Sequence, residues 1–80
     1  MSELSRLRWR CRRGIKEMDL VFEHFLEQEY AELSSVQKHL FSQILEESDL
    51  DIMDWILGRK EPLKAEYNVL IQQFRKLNAN

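Results

Sequence analysis

The chain has two glycines, one proline and one cysteine, and each shortage removes a class of structure or chemistry. So little Gly and Pro leaves scant material for the tight turns of a small β-fold. Gly14 and Gly58 lie far apart, so there is no glycine-rich loop to cradle a phosphate or dinucleotide, and no flavin or nucleotide cofactor of the chain's own is expected. Cys11 has no second cysteine to pair with, and its thiol suits a reducing compartment. Cys11, His24 and His39 show none of the paired spacings that structural zinc sites use, so no metal is expected. Asp, Glu or Arg interrupts every hydrophobic segment well before the roughly 20 apolar residues of a membrane span, and no apolar run follows a basic start. The expectation is a soluble protein of the bacterial cytoplasm or an equivalent reducing space.

What is present points to helices. At 44% hydrophobic and 32% charged, the sequence is too apolar for disorder, and 80 residues make one domain, 1–80, near the size where a single core just holds a fold. Ser2 caps a first predicted helix, about 3–12, with Leu4, Leu7 and Cys11 on one stripe and Trp9 off it. Ile15, Met18, Val21, Phe22, Phe25 and Leu26 mark a second, about 15–28. Ser34 with Gln37 forms a capping box opening a third, which carries Val36, Leu40, Phe41, Ile44 and Leu45 to about Glu47. Ser48-Asp49 caps a short, largely buried fourth that ends at Gly58. Pro62 starts a fifth, striped by Leu63, Tyr67, Leu70, Ile71, Phe74 and Leu77. The fold class is all-α: a compact five-helix bundle with helices two, three and five as its core.

Charge is distributed unevenly. Residues 1–18 hold five Arg and Lys16 against Glu3 and Glu17, a balance of +4; residues 19–54 hold ten acids against Lys38, a balance of −9; the remainder carries +3. Such a dipolar molecule can orient toward a partner of complementary field. The basic run Arg6, Arg8, Arg10, Arg12, Arg13 and Lys16, with Trp9 interleaved, has the composition of a nucleic-acid surface. Arginines that step by two fan around a helix, however, and form no single phosphate-tracking stripe. With a pI near 5.7, a protein-docking face or a plain solvated one is the better account. The hydroxyls and the thiol carry no signature of an activated nucleophile, and the carboxylates sit where solvated helix faces put them. No catalytic residue is expected, and the chain is not expected to be an enzyme.

One constellation stands out: Arg12-Arg13-Gly14-Ile15-Lys16-Glu17, at the junction of the first two helices. Gly14 offers either a backbone conformation closed to other residues or a close approach that a Cβ would hinder. Arg13 presents a planar fork of donors, and Glu17 falls in the first turn of the second helix, where negative charge is favoured. Both are expected to be exposed. The plain alternative is an interhelical turn with a local Arg13–Glu17 ion pair worth about 0–1 kcal/mol. His24, seven residues after Glu17, could stand at the rim of a docking surface or be an ordinary exposed histidine. Trp55 is expected in the core, and Trp9 is a candidate for the contact surface, where aromatics are often hot spots.

At these residues the chain resembles the SdhE family of small assembly factors. The family's RGxxE motif is matched by Arg13, Gly14 and Glu17, with Trp9 and Cys11-Arg12 before it and Asp19 after it; the likeness continues through Glu29-Tyr30, Leu33-Ser34, the Leu45-Glu46 region, Asp51 and Trp55. The resemblance implies a five-helix bundle. It also implies a chaperone-like function: docking on the immature flavoprotein subunit of succinate dehydrogenase, and in bacteria that of fumarate reductase, so that a histidine of that subunit attacks FAD. It assigns partner binding to Arg13, Gly14, Glu17, Arg12, Asp19 and Trp9. Two other functions use the same bundle: an adaptor or antitoxin-like protein-binding module with no flavin connection, and a nucleic-acid binder that uses the arginines.

Overall fold

In a computed structural model, which describes residues 2–79, three of the five helices begin where the capping serines place them. The five are α1 (Glu3–Arg10), α2 (Lys16–Gln28), α3 (Ser35–Ile44), α4 (Asp49–Leu57) and α5 (Asn68–Ala79), with 3-10 turns at Tyr30–Glu32 and Ala65–Tyr67. Ser2 Oγ accepts the Ser5 N–H, Ser34 Oγ the Gln37 N–H and Ser48 Oγ the Asp51 N–H, each at 3.1 Å. Gln37 Oε1 completes the box by accepting the Ser34 N–H at 3.1 Å. Each cap satisfies donors that the first helical turn leaves orphaned. Gly58 stops α4 at φ +77°, and the Arg59 N–H then reaches back to the Asp54 carbonyl at 2.9 Å. This is the left-handed end that glycine makes inexpensive.

The core is built around four phenylalanines from the three helices expected to form it: Phe22 and Phe25 on α2, Phe41 on α3 and Phe74 on α5, all fully buried. Phe22 meets Phe41 and Phe74 edge-on at 5.9 and 5.4 Å, and Phe25 meets Phe74 edge-on at 4.9 Å. Such pairs add about 0.5–1.5 kcal/mol each beyond the area they bury. Ile52, Trp55 and Ile56 of α4 close one side of this cluster. Trp55 is therefore a core residue, as expected.

Three boundaries differ from the sequence reading. α1 ends at Arg10 rather than residue 12 because Cys11, already capping the helix, drops into the core and the chain turns there. α3 ends at Ile44 rather than Glu47: the N–H groups of Glu46 and Glu47 bond three residues back, to Gln43 and Ile44, tightening residues 45–47 into a turn. α5 starts at Asn68, not at Pro62, and Leu63 lies fully exposed outside the core. Periodicity alone could not separate Leu63 from the true stripe, because its spacing to Tyr67 fits a helix that the backbone does not form. Leu4, Val36, Leu50 and Leu57 are likewise exposed members of otherwise buried stripes.

Candidate functional site

The junction of α1 and α2 is a four-residue turn, Arg12 to Ile15, held from both sides. Gly14 sits at φ +85°, a region that residues with a Cβ rarely enter. Apart from its chain neighbours, no heavy atom stands within 4 Å of where a Cβ would be. The position therefore demands glycine for its backbone and at the same time leaves a bare, open spot on the surface. Ile15 packs against the core and leads into α2 without a side-chain cap. The turn ahead of the helix is instead pinned from within it. Asp19, one turn in, accepts the Arg13 N–H on Oδ1 at 2.8 Å and the Gly14 N–H on Oδ2 at 3.2 Å. With Glu17 it also places two negative charges in the first turn, where the helix dipole favours them.

Arg13 does not point into solvent as the sequence suggested. Its side chain is only 15% exposed and lies across the turn between α3 and α4. Nε donates to Asp49 Oδ1 at 2.7 Å, Nη1 to the carbonyls of Leu45 at 2.9 Å and Arg10 at 3.2 Å, and Nη2 to the Glu47 carbonyl at 3.1 Å. The guanidinium thus takes up carbonyls that the end of α3 leaves without helical partners. The local Arg13–Glu17 ion pair is not formed. Arg10 is fixed nearby, donating to Ser42 Oγ and to the Ser42 carbonyl, both at 2.8 Å. Glu47 is tethered in turn, its Oε2 accepting the Tyr67 hydroxyl at 3.3 Å.

The basic run therefore divides in two. Arg10 and Arg13 brace the α3 end, while Arg6, Arg8, Arg12 and Lys16 are exposed. Trp9, 65% exposed, lines an open groove between α1 and α2 with Arg8, Arg12, Gly14, Asp19 and Glu23. Glu17, Leu20 and His24, spaced as one helical face, are all exposed on α2. Of the six residues singled out in the sequence, Arg12, Gly14, Glu17 and Trp9 present surface, whereas Arg13 and the half-buried Asp19 use their polar groups to hold the turn. The sequence reading missed Asp49. Ser48-Asp49 was legible only as a helix cap, and no local spacing signals a partner 36 residues earlier.

Beneath the groove, Cys11 is buried. Burial pushes its thiol up to about 12, against the smaller opposing pull of the Arg13 and Arg10 charges. It is a packing residue in its neutral form. Among the described residues no cluster of three or more His, Cys, Asp or Glu is placed to hold a metal, and no helix is long and apolar enough to cross a membrane.

Residues 5–78 match the family described as flavinator of succinate dehydrogenase. The chain is similar to proteins named FAD assembly factor SdhE from three bacteria. It is 34% identical to that of Coxiella burnetii over 74 residues, which cover 92% of this chain and 90% of the relative. It is 41% identical to that of Idiomarina loihiensis over 75 residues, 94% of this chain and 80% of the relative. It is 34% identical to that of Yersinia pseudotuberculosis over 74 residues, 92% and 84% of the two.

Proposed function

The chain belongs to the flavinator of succinate dehydrogenase family, and from that premise we propose that it is an FAD assembly factor. In this reading it docks on the flavoprotein subunit of succinate dehydrogenase through the α1–α2 turn and promotes covalent attachment of FAD there. The observation that carries the docking assignment is Gly14: a backbone spot with no side chain and no neighbour over it, flanked by the exposed charges of Arg12 and Glu17 and by exposed Trp9. A partner's backbone can come close at such a spot, where charge-assisted hydrogen bonds and an aromatic anchor give affinity and register.

The helper contributes no atom to the flavin bond in this account. It binds the arrangement of the partner in which the partner's own histidine and flavin are aligned; each ~1.4 kcal/mol of preference for that arrangement raises its minor population, and the rate, about tenfold. No catalytic group is needed on the chain, and the flavin stays on the partner. The proposal extends to the flavoprotein subunit of fumarate reductase, which the resemblance also implies, and to action in the cytoplasm by a chain that is monomeric between encounters. Nucleic acid is the weaker reading, because Arg10 and Arg13 are engaged within the fold and the middle of the chain is strongly acidic.

The test uses a strain that lacks its own helper, with covalent flavin on the flavoprotein subunit followed by in-gel fluorescence. The parent chain restores the signal, and Glu17→Ala, expressed to the same level, does not. No signal with the parent chain would reject this function, and full signal with Glu17→Ala would reject the site.

A further inference from the structure

We propose that Asp49 is a positioning residue of the docking turn, and that Arg13 acts on the partner indirectly, as the strut through which Asp49 and the α3–α4 turn hold Gly14 and Glu17 in place. The inference rests on the docking reading above and goes one step further into it. Four donations from the Arg13 guanidinium end on acceptors of this chain, the shortest on Asp49 Oδ1 at 2.7 Å. An arginine with that many internal bonds has little left for a partner. Its backbone, meanwhile, is one residue from Gly14, and its N–H is held by Asp19. The turn is thus clamped from α2 through Asp19 and from the α3–α4 junction through the Arg13 side chain. Asp49 opens α4 as its first residue, so the clamp ties the docking turn to an element on the core.

This geometry separates two accounts of Arg13. If its charge met the partner directly, removing Asp49 would free the guanidinium and leave that contact in place, and lysine would preserve binding wherever the contact is a simple charge pair. As a strut it requires the planar fork, because an ammonium cannot reach Asp49 and the Leu45 and Glu47 carbonyls together. Asp49 is separable in the same way. Its side chain is partly exposed, so it could in principle touch the partner itself, in which case its removal and that of Arg13 would act independently.

The experiment measures affinity for the purified apo flavoprotein subunit, with circular dichroism and melting on every variant and Gly58→Ala as a destabilised control distant from the turn. Asp49→Ala and Arg13→Lys each weaken binding by about tenfold or more, and the Asp49→Ala/Arg13→Ala double variant is no more than about twofold worse than Arg13→Ala alone. Asp49→Asn, whose Oδ1 still accepts from Nε, recovers most of the loss. Binding by Asp49→Ala within about twofold of the parent, or losses that multiply in the double variant, would overturn the proposal. Amide exchange in the free chain tests the strut without a partner. The Gly14 N–H exchanges faster in Asp49→Ala and Arg13→Lys but not in Gly58→Ala; unchanged Gly14 exchange would overturn the strut even if the parent failed to bind, a failure that would instead reject the docking reading.

Discussion

Asp19 holds the backbone of Gly14 across the first turn of α2: its Oδ2 accepts the Gly14 N–H at 3.2 Å while its Oδ1 accepts the Arg13 N–H at 2.8 Å. The carboxylate pins the turn ahead of α2 from inside the helix, one oxygen on each N–H. Asp19→Ala is therefore expected to lower stability by about 1.5–3 kcal/mol, the range for lost hydrogen bonds to a charged acceptor. Asp19→Asn, with one acceptor oxygen, should fall between the two. Urea titrations of the three forms check the order, and an unchanged midpoint in Asp19→Ala would show that the turn holds without it.

Gly14 and Gly58 make a matched pair, since both have positive φ and open space where a Cβ would project. Alanine at either should cost about 1–2 kcal/mol through the backbone alone, a loss of melting temperature of about 4–8 °C per kcal/mol in a domain this small. Binding should separate them. Gly14→Ala is expected to lose affinity beyond its loss of stability, and Gly14→Arg to abolish binding while remaining helical. Gly58→Ala should bind like the parent at temperatures where it is folded. Equal binding by the Gly14 and Gly58 alanine variants would make Gly14 a hinge and nothing more.

Much of this was legible in the sequence, and the limits have physical causes. Helix starts at Ser2, Ser34 and Ser48 could be placed because caps are local: an acceptor and its N–H lie three residues apart. The phenylalanine core could be read from spacing because 3.6-residue periodicity records burial. The fate of Arg13 could not. Its acceptors lie up to 36 residues away, and two of the four, the Leu45 and Glu47 carbonyls, are free because α3 stops at Ile44. Counting charges along α1 showed a basic run; which arginines face inward depended on the packing of α1 against α3. Trp9 was separable because it lay off its helix's stripe, and Leu63 was misplaced because it lay on one.

Cys11 supplies a pH test with a defined sign. Its pKa rises from 9.0 unfolded to about 12 in the fold, so the folded state keeps a proton that the unfolded state releases. The stabilising difference is complete below pH 9 and is lost as pH climbs from there toward 12. Melting temperature should fall across that alkaline window and fall less in Cys11→Ala, after allowance for its lower starting stability. At neutral pH the buried thiol should react with a maleimide far more slowly than in the urea-unfolded chain. Equal rates would mean that the groove opens readily onto Cys11.

Glu17→Ala tests the exposed half of the site without disturbing the braced half. The side chain is exposed and makes no ion pair with Arg13, so stability should change by less than about 0.5 kcal/mol, while loss of a charged partner from a desolvated contact costs about 2–5 kcal/mol of binding. A melt matching the parent together with undetectable complex is the expected result, and retained affinity would place the contact elsewhere.

The most direct test of the docking face is site-resolved photo-crosslinking to the apo flavoprotein subunit. A photoreactive residue is placed in turn at Glu17 and Trp9, beside the turn, and at Leu63 and His39, away from it. The account predicts covalent adducts from positions 17 and 9 and none from 63 and 39. Adducts from 63 or 39, with 17 and 9 silent, would contradict it.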